Sequence, residues 1–328
     1  MTTRNTDLTD ATHIERIEET ALPASVSTLL ETYEEIVDER DRFLWKWLYY
    51  LFPEITLSCV HPDDGQQVRE GKLLASLYVT ILDDLAERDE DVHTFREAAK
   101  APFDHQTADE THPEVDAATV ALAHEVWERV DESLESAPRY AEFSDLLRFD
   151  LGRTNTAIEY TYLLNHHLEL ASLEETAIYD SHNMMLFPYA TIDLLYSPAF
   201  DRSELGRLRD VLRRAQQMTR IGNWVTTWER ELEEGDCSSG VVVSAVERDV
   251  VSREQLERLR ADPATADRDE IVARIHEANI EDRLLERWSE HYDHVEGYAA
   301  DIESVDVEAL LEGLETVLAC HLESRGRK

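Results

Sequence analysis

Asn223, Thr227 and Glu231 recur every fourth residue within residues 223–236, so a helix would carry all three on one face. An amide carbonyl, a hydroxyl and a carboxylate are hard oxygen donors of the kind Mg2+ accepts, and such a set leaves positions for water and substrate phosphates. Helical side chains lean toward the helix N-terminus, so the longer Glu231 reaches back toward a metal held by Asn223 and Thr227. Arg230 stands beside it with a permanent charge suited to phosphate oxygens. Such a stripe also arises by chance on a solvated face, with Trp224 and Trp228 turned inward. It becomes a site when a second acidic cluster faces it.

That second cluster is the run Asp83-Asp84-Leu85-Ala86-Glu87-Arg88-Asp89-Glu90-Asp91, reached through the apolar residues 73–82. Asp83 and Glu87 are four apart and share a helix face, with Asp84 beside them. Adjacent acids are common in this chain, as at Glu18-Glu19, Glu34-Glu35 and Glu233-Glu234, and a solvated face accounts for such pairs. Position sets this run apart. Its aspartates end a strongly apolar helix, where a buried wall would open onto a cavity.

Long helices are needed to hold these residues. Apolar residues fall at three- and four-residue spacing over 26–50, 71–85, 115–130, 143–164 and 203–218, the helical period. Residues 240–246 are the best strand candidate, and their acidic flanks also fit a helix. Ten Gly and nine Pro punctuate the chain, mostly between helices, as at Pro53, Pro62, Pro102, Pro113, Pro138, Pro188 and Pro198. The pattern predicts one all-α domain of about ten helices over 23–328, preceded by a polar, Thr-rich, frayed segment over 1–22. Residues 261–269 read as a mobile loop, and the lack of an internal repeat disfavours a solenoid.

The chain has 71 acidic and 32 basic residues, a formal net charge of -39. Self-repulsion on that scale destabilises a compact state unless salt screens it, the Debye length falling to about 3 Å at 1 M. Only Lys46, Lys72, Lys100 and Lys328 are lysines. The excess reads as adaptation to a high-salt cytoplasm. Hydrophobic residues at 42 %, with six Trp, twelve Tyr and eight Phe, supply a core and argue against an acidic disordered chain. Nothing resembles a basic patch, so nucleic acid is not an expected partner. Cys59, Cys237 and Cys320 are too few and too scattered for a disulfide framework or thiolate metal site, and are expected as buried free thiols. No charged-then-apolar leader opens the chain and no apolar run approaches the roughly 18 residues of a membrane span. A soluble, cytoplasmic protein is expected.

Taken together, the two clusters resemble the metal motifs of class I terpene synthases (terpene cyclases), especially the microbial ones. Asp83, Asp84 and Glu87 match the first motif, an Asp-Asp followed within a few residues by Asp or Glu. Asn223, Thr227, Arg230 and Glu231 match the second, Asn-Asp-x-x-Ser/Thr-x-x-x-Glu with Lys or Arg before the Glu. The continuation through Glu234-Gly235-Asp236 and Glu247-Arg248-Asp249 is similar as well, and the likeness spans residues 40 to 295 in outline. There are departures. Trp224 stands where the family has Asp, and Asp180, Ser181 and His182 stand about where its diphosphate-sensing Arg is expected. Gly326 follows Arg325 where the family has an Arg-Tyr pair.

The resemblance implies a single-domain class I isoprenoid (terpene) synthase helical bundle with a central active-site cavity. It implies a Mg2+-dependent lyase that ionises farnesyl or geranylgeranyl diphosphate to an allylic carbocation and releases pyrophosphate. Three Mg2+ would lie between Asp83, Asp84 and Glu87 on one side and Asn223, Thr227 and Glu231 on the other. Arg230, Arg220 and Arg325 would bind the diphosphate. Catalysis would fall to Asp83, Asn223, Thr227, Glu231 and Arg230. A dry pocket must shield the cation from water, and aromatic faces attract it by about 0.5 to 2 kcal/mol each. Tyr78, Phe149, Phe187, Tyr189 and Trp288 are the aromatic candidates, although a core role is the commoner one for each. The adjacent His166 and His167 point to different helix faces and do not suit a shared zinc.

Two rivals stand beside this reading. A chain-elongating prenyltransferase carries aspartate-rich motifs on both facing helices, whereas residues 223–231 offer Asn, Thr and Glu. A non-catalytic descendant would bind isoprenoid diphosphates without turnover. Monomer and homodimer both stay open. The charge argument makes its own prediction: raising KCl from about 0.1 M to about 1 M should raise the melting temperature, and a melting temperature indifferent to salt would count against the high-salt reading.

Overall fold

The computed structural model describes residues 12–37, 40–262 and 267–327, and among these every regular element is helical. In chain order the helices are α1 (His13–Glu19), α2 (Ala24–Ile36), α3 (Arg42–Leu51), α4 (Gly65–Asp83), α5 (Val92–Ala98), α6 (Ala117–Leu134), α7 (Tyr140–His166) and α8 (Leu173–Tyr179). They continue with α9 (Leu186–Leu195), α10 (Leu205–Glu233), α11 (Gly240–Glu247), α12 (Arg253–Ala261), α13 (Asp267–Glu277), α14 (Ile280–Glu296) and α15 (Val307–Glu323). Among the described residues none of these is long and apolar enough to cross a membrane.

Several expectations change in detail. The periodic stretch 26–50 divides into α2 and α3, because the Asp41 carboxylate accepts from the Phe43 N–H at 2.9 Å and starts a new helix. The stretch 203–218 runs on through the second motif as one helix of 29 residues. Residues 240–246 are helical; all seven are buried, and a segment apolar on every side shows neither period. Of the segment expected to be frayed, residues 1–11 lie outside the described residues, while His13–Glu19 form a helix closed by a Thr12–Glu15 capping box. Of the expected loop 261–269, residues 263–266 lie outside the described residues and Asp267 opens α13. Cys59, Cys237 and Cys320 are free thiols, with Cys59 only partly buried.

Helix α4 is buried along most of its length, and α9 along all of it. It packs against α6, α9 and α7, while α10 packs against α14, α15 and α9, so the helices bearing the two motifs flank α9. The two buried helices are joined by an ion pair. Lys72 Nζ lies 2.7 Å from Asp193 Oδ1 with both side chains sealed from solvent. Lys72 also donates to the Thr56 hydroxyl at 3.0 Å, and the second Asp193 oxygen accepts from the Leu57 N–H at 3.0 Å. Burial pushes the Asp193 carboxyl up to about 6 even with Lys72 beside it, a sign of how little water reaches the pair.

Between α8 and α9 the chain breaks into a 3₁₀ turn, Asp180–Met184, followed by Met185 at φ 56. Gln216 of α10 clamps this break: its carbonyl accepts from the Phe187 N–H at 3.4 Å and its amide donates to His182 Nδ1 at 2.8 Å. His182 stacks on Phe187 with ring centroids 5.5 Å apart. Burial, then Arg153, Arg209 and Arg213, push its imidazole down to about 3. Arg209 is itself fixed by a bidentate pair to buried Asp150, at 2.8 and 2.6 Å.

Two measurements follow from these buried groups. Lys72→Ala leaves the Asp193 charge unpaired and should cost about 3–5 kcal/mol in denaturant unfolding, whereas Lys72→Met with Asp193→Leu should recover most of it. His182 is held neutral in the folded state, with its pKa depressed below the unfolded value. Its contribution is therefore complete above pH 6.5 and is lost as pH falls toward 3. That loss amounts to about 3 kcal/mol by pH 4. His182→Asn should flatten the stability profile between pH 6.5 and 4; a profile as steep as that of the native chain would refute the assignment.

Candidate active site

Helix α4 ends at Asp83 and widens into a single π turn, Asp84–Arg88, in which the Asp89 N–H donates to the Asp84 carbonyl at 2.9 Å. Neighbouring helical residues point about 100° apart, and here that divides the first motif. Asp83 accepts from the Asn183 amide at 2.9 Å, and Glu87 accepts from the Thr161 hydroxyl at 2.5 Å. Asp84 points the other way. It is buried, accepts from the Tyr33 hydroxyl and the Arg40 guanidinium, and has Arg88 at 3.6 Å. Asp84 is expected as a metal ligand with Asp83 and Glu87, and here both its oxygens are engaged by protein donors.

On α10, Arg220 and Asn223 lie on consecutive turns, and Arg220 Nη1 donates to Asn223 Oδ1 at 2.8 Å. The Thr227 hydroxyl donates to the Asn223 carbonyl at 2.9 Å, and Glu231 follows one turn later. The helix then stops at Gly235, whose φ of 86 suits glycine. Asp236 N–H donates to the Glu231 carbonyl at 2.8 Å and Gly235 N–H to the Leu232 carbonyl at 3.3 Å, the bonding of a Schellman turn. This turn folds Asp236 back beside Glu231. Arg230 faces outward from the stripe, paired with Glu234 at 2.6 Å and only 3.9 Å from Glu231.

The break after α8 joins the two helices. Asn183 holds Asp83, while Asp180 accepts from Arg220 Nε at 2.7 Å and from the Trp224 indole at 2.9 Å. Trp224 is itself wedged against α11, where a β-carbon added at Gly240 would come within 2.5 Å of its ring. Asp83 and Asn223 are therefore fastened to one turn of five residues.

Electrostatics describe the space between them. Burial, then Asp83 and Asp236, push Glu87 well up; burial and Asp236 push Glu231 up to about 7; burial and Asp180 raise Asp236. Glu87, Glu231 and Asp236 nevertheless retain partial exposure, which marks the lining of a recess rather than a packed interior. Arg220 is the cation that lowers all three and Asp180 as well. Burial disfavours its own charge, and Asp180, Glu231 and Glu87 outweigh that.

The remaining sequence candidates fall elsewhere. Arg325 donates to the Val225 carbonyl and to Glu281 Oε1, which also takes the Trp228 indole at 2.7 Å. Phe149, an aromatic candidate under the resemblance, is 58 % exposed and so lines no interior, with Arg153 over its ring. Tyr78 packs on Trp127 and donates to the Ala98 carbonyl at 3.2 Å, an ordinary core role. Tyr189 and Ser76 join through their hydroxyls at 2.8 Å, Phe187 lies under His182, and Trp288 lies against Tyr292. Asp180, Asn183, Thr161 and Asp236 were not among the candidates. Asp236 had a local signal in the helix-ending Gly235 before it, and Asp180 stood out as an acid where the resemblance implies an Arg.

No protein-family model matches the chain, and no curated protein matches it by sequence. Solved structures do. The 2-methylisoborneol synthase of Streptomyces coelicolor A3(2) superposes with a TM-score of 0.56 at 15 % identity, over 95 % of this chain and 91 % of that one. The farnesyl diphosphate synthase of T. brucei superposes with a TM-score of 0.51 at 12 % identity, over 96 % of this chain and 95 % of that one. At such identities the likeness shows the fold alone: this chain shares the all-α fold of these two proteins.

Proposed function

We propose that this chain is a cytoplasmic, Mg2+-dependent terpene synthase that ionises farnesyl or geranylgeranyl diphosphate and releases pyrophosphate. The observation that supports it is the attachment of both oxygen-donor helices to one turn, with Arg220 between them. The residues fit hard divalent ions. Glu87, Glu231 and Asp236 are crowded carboxylates raised by burial and by one another or Asp180, and Asp180 Oδ1 is buried without a partner. Both call for positive charge beyond what the protein supplies. Asp83 and Glu87 would hold ions from one side and Asn223, Thr227 and Glu231 from the other. Asp84, engaged by Tyr33 and Arg40, would fix the helix end rather than bind metal. Bound Mg2+ would neutralise charge on the departing diphosphate.

Arg220 is the residue we assign to the diphosphate. Asn223 Oδ1 would be a metal ligand, and Arg220 Nη1, which donates to that oxygen here, would then be available to a diphosphate oxygen, with Nε kept on Asp180. A guanidinium held in this way presents fixed donors where negative charge develops and needs no reorganisation. Arg220 then does from α10 what the break segment, lacking an Arg, does not. Arg230 and Arg325 are engaged by Glu234 and Glu281 and contribute less. The prenyltransferase alternative shares the fold, and the Asn, Thr and Glu of α10 favour cyclisation over elongation.

The test is turnover by purified protein in molar KCl with Mg2+ and each diphosphate, following pyrophosphate and extractable hydrocarbons. Asp83→Ala and Asn223→Ala should each lower kcat/KM by at least about 100-fold, and Arg220→Lys should act mainly on kcat. Pyrophosphate release indifferent to the two alanine variants would sink the assignment. A longer diphosphate on adding isopentenyl diphosphate would replace it with chain elongation, and binding without turnover would replace it with a non-catalytic role.

A further inference from the structure

We propose that His93, His112 and Glu114 form a second metal site, for a borderline transition ion such as Zn2+, which staples the start of α5 to the loop before α6. One donor atom from each residue lies within 4.8 Å of the other two. His93 Nε2 is 3.6 Å from Glu114 Oε2, and the two imidazoles lie parallel, 11° apart with centroids separated by 5.7 Å. Two imidazoles and one carboxylate suit Zn2+ and its neighbours, with water completing the shell. Mg2+, which seeks oxygen ligands in an octahedron, suits the recess between α4 and α10 instead.

The donors rest on fixed backbone. His93 occupies the first turn of α5, started by Asp91, whose carboxylate accepts from the Thr94 N–H at 3.0 Å and its hydroxyl at 2.6 Å. His112 and Glu114 flank Pro113 in a turn closed by the Val115 N–H on the His112 carbonyl at 3.0 Å. The two pieces are clipped together where the Asp116 N–H donates to the Thr94 hydroxyl at 2.8 Å. All three donors are exposed, so an ion can enter. The Glu114 N–H meets His112 Nδ1 at 3.3 Å; an ion at Nε2 would shift the ring proton to Nδ1 and exchange that long contact for the metal bond. Another group, Glu229, His276 and Glu281, has comparable spacing. It offers one imidazole, and its Glu281 is already held by Trp228 and Arg325.

The test is calorimetric titration of Zn2+ into chelator-stripped protein, with excess Mg2+ present to load oxygen-only sites. One equivalent should bind and raise the melting temperature. His93→Ala and His112→Ala, both at exposed positions, should each weaken binding at least tenfold and abolish the thermal shift, while His276→Ala should leave both unchanged. Co2+ absorption in the visible range should appear in the native chain and not in the two variants. Absence of Zn2+ uptake with Mg2+ present, or equal affinity in His93→Ala and His112→Ala, would overturn the proposal.

Discussion

Positive charge is scarce inside this bundle, and its placement decides the architecture. Four buried aspartates are each paired with a cation: Asp84 with Arg40 and, at 3.6 Å, Arg88, Asp150 with Arg209, Asp180 with Arg220 and Asp193 with Lys72. An unpaired charge in such surroundings is expensive, so each pair fixes where two elements meet. Lys72–Asp193 joins α4 to α9, Arg209–Asp150 joins α10 to α7, and Arg220–Asp180 joins α10 to the break before α9. Glu87, Glu231 and Asp236 share Arg220 instead, with Arg230 a further 3.9 Å contact for Glu231. That contrast separates carboxylates that hold two elements together from the crowded carboxylates on which the proposed function rests.

Helix content and the two oxygen-donor runs were legible in the residues, because period and motif are local properties. Asn223, Thr227 and Glu231 share one face of α10 as their spacing requires. Asp83 and Glu87 also end on the same side, but Asp84 does not, since a π turn and two donors from α2 and the segment after it claim it. Neither Tyr33 nor Arg40 announces that role from its own surroundings. The roles of Asp180 and Asn183 were equally hidden, because what matters about them is which distant helix they touch. The aromatic candidates show the same limit: Phe149 and Tyr78 carry suitable side chains, and only packing reveals that one faces water and the other α6.

The exchange of charge between the break and α10 explains two residues that look anomalous separately. Asp180 and Trp224, two departures from the resemblance noted in the sequence, are hydrogen-bonded to one another. Arg220 and Trp224 both donate to Asp180, so reversing the sign of the break is balanced by donors supplied from the opposite helix. Both donors reach Asp180 Oδ2, and Oδ1 is left without a hydrogen-bond partner.

The wedge of Trp224 against Gly240 carries a consequence for substitution. A side chain at 240 would occupy the space of the indole, and without the indole Asp180 loses one of its two donors. Positions 180, 224 and 240 are thus coupled by contact across three elements, so that a larger residue at 240 is felt at 180 through the indole. A shorter side chain at 224 would free position 240 for a larger residue and leave Asp180 with Arg220 as its remaining donor of the two.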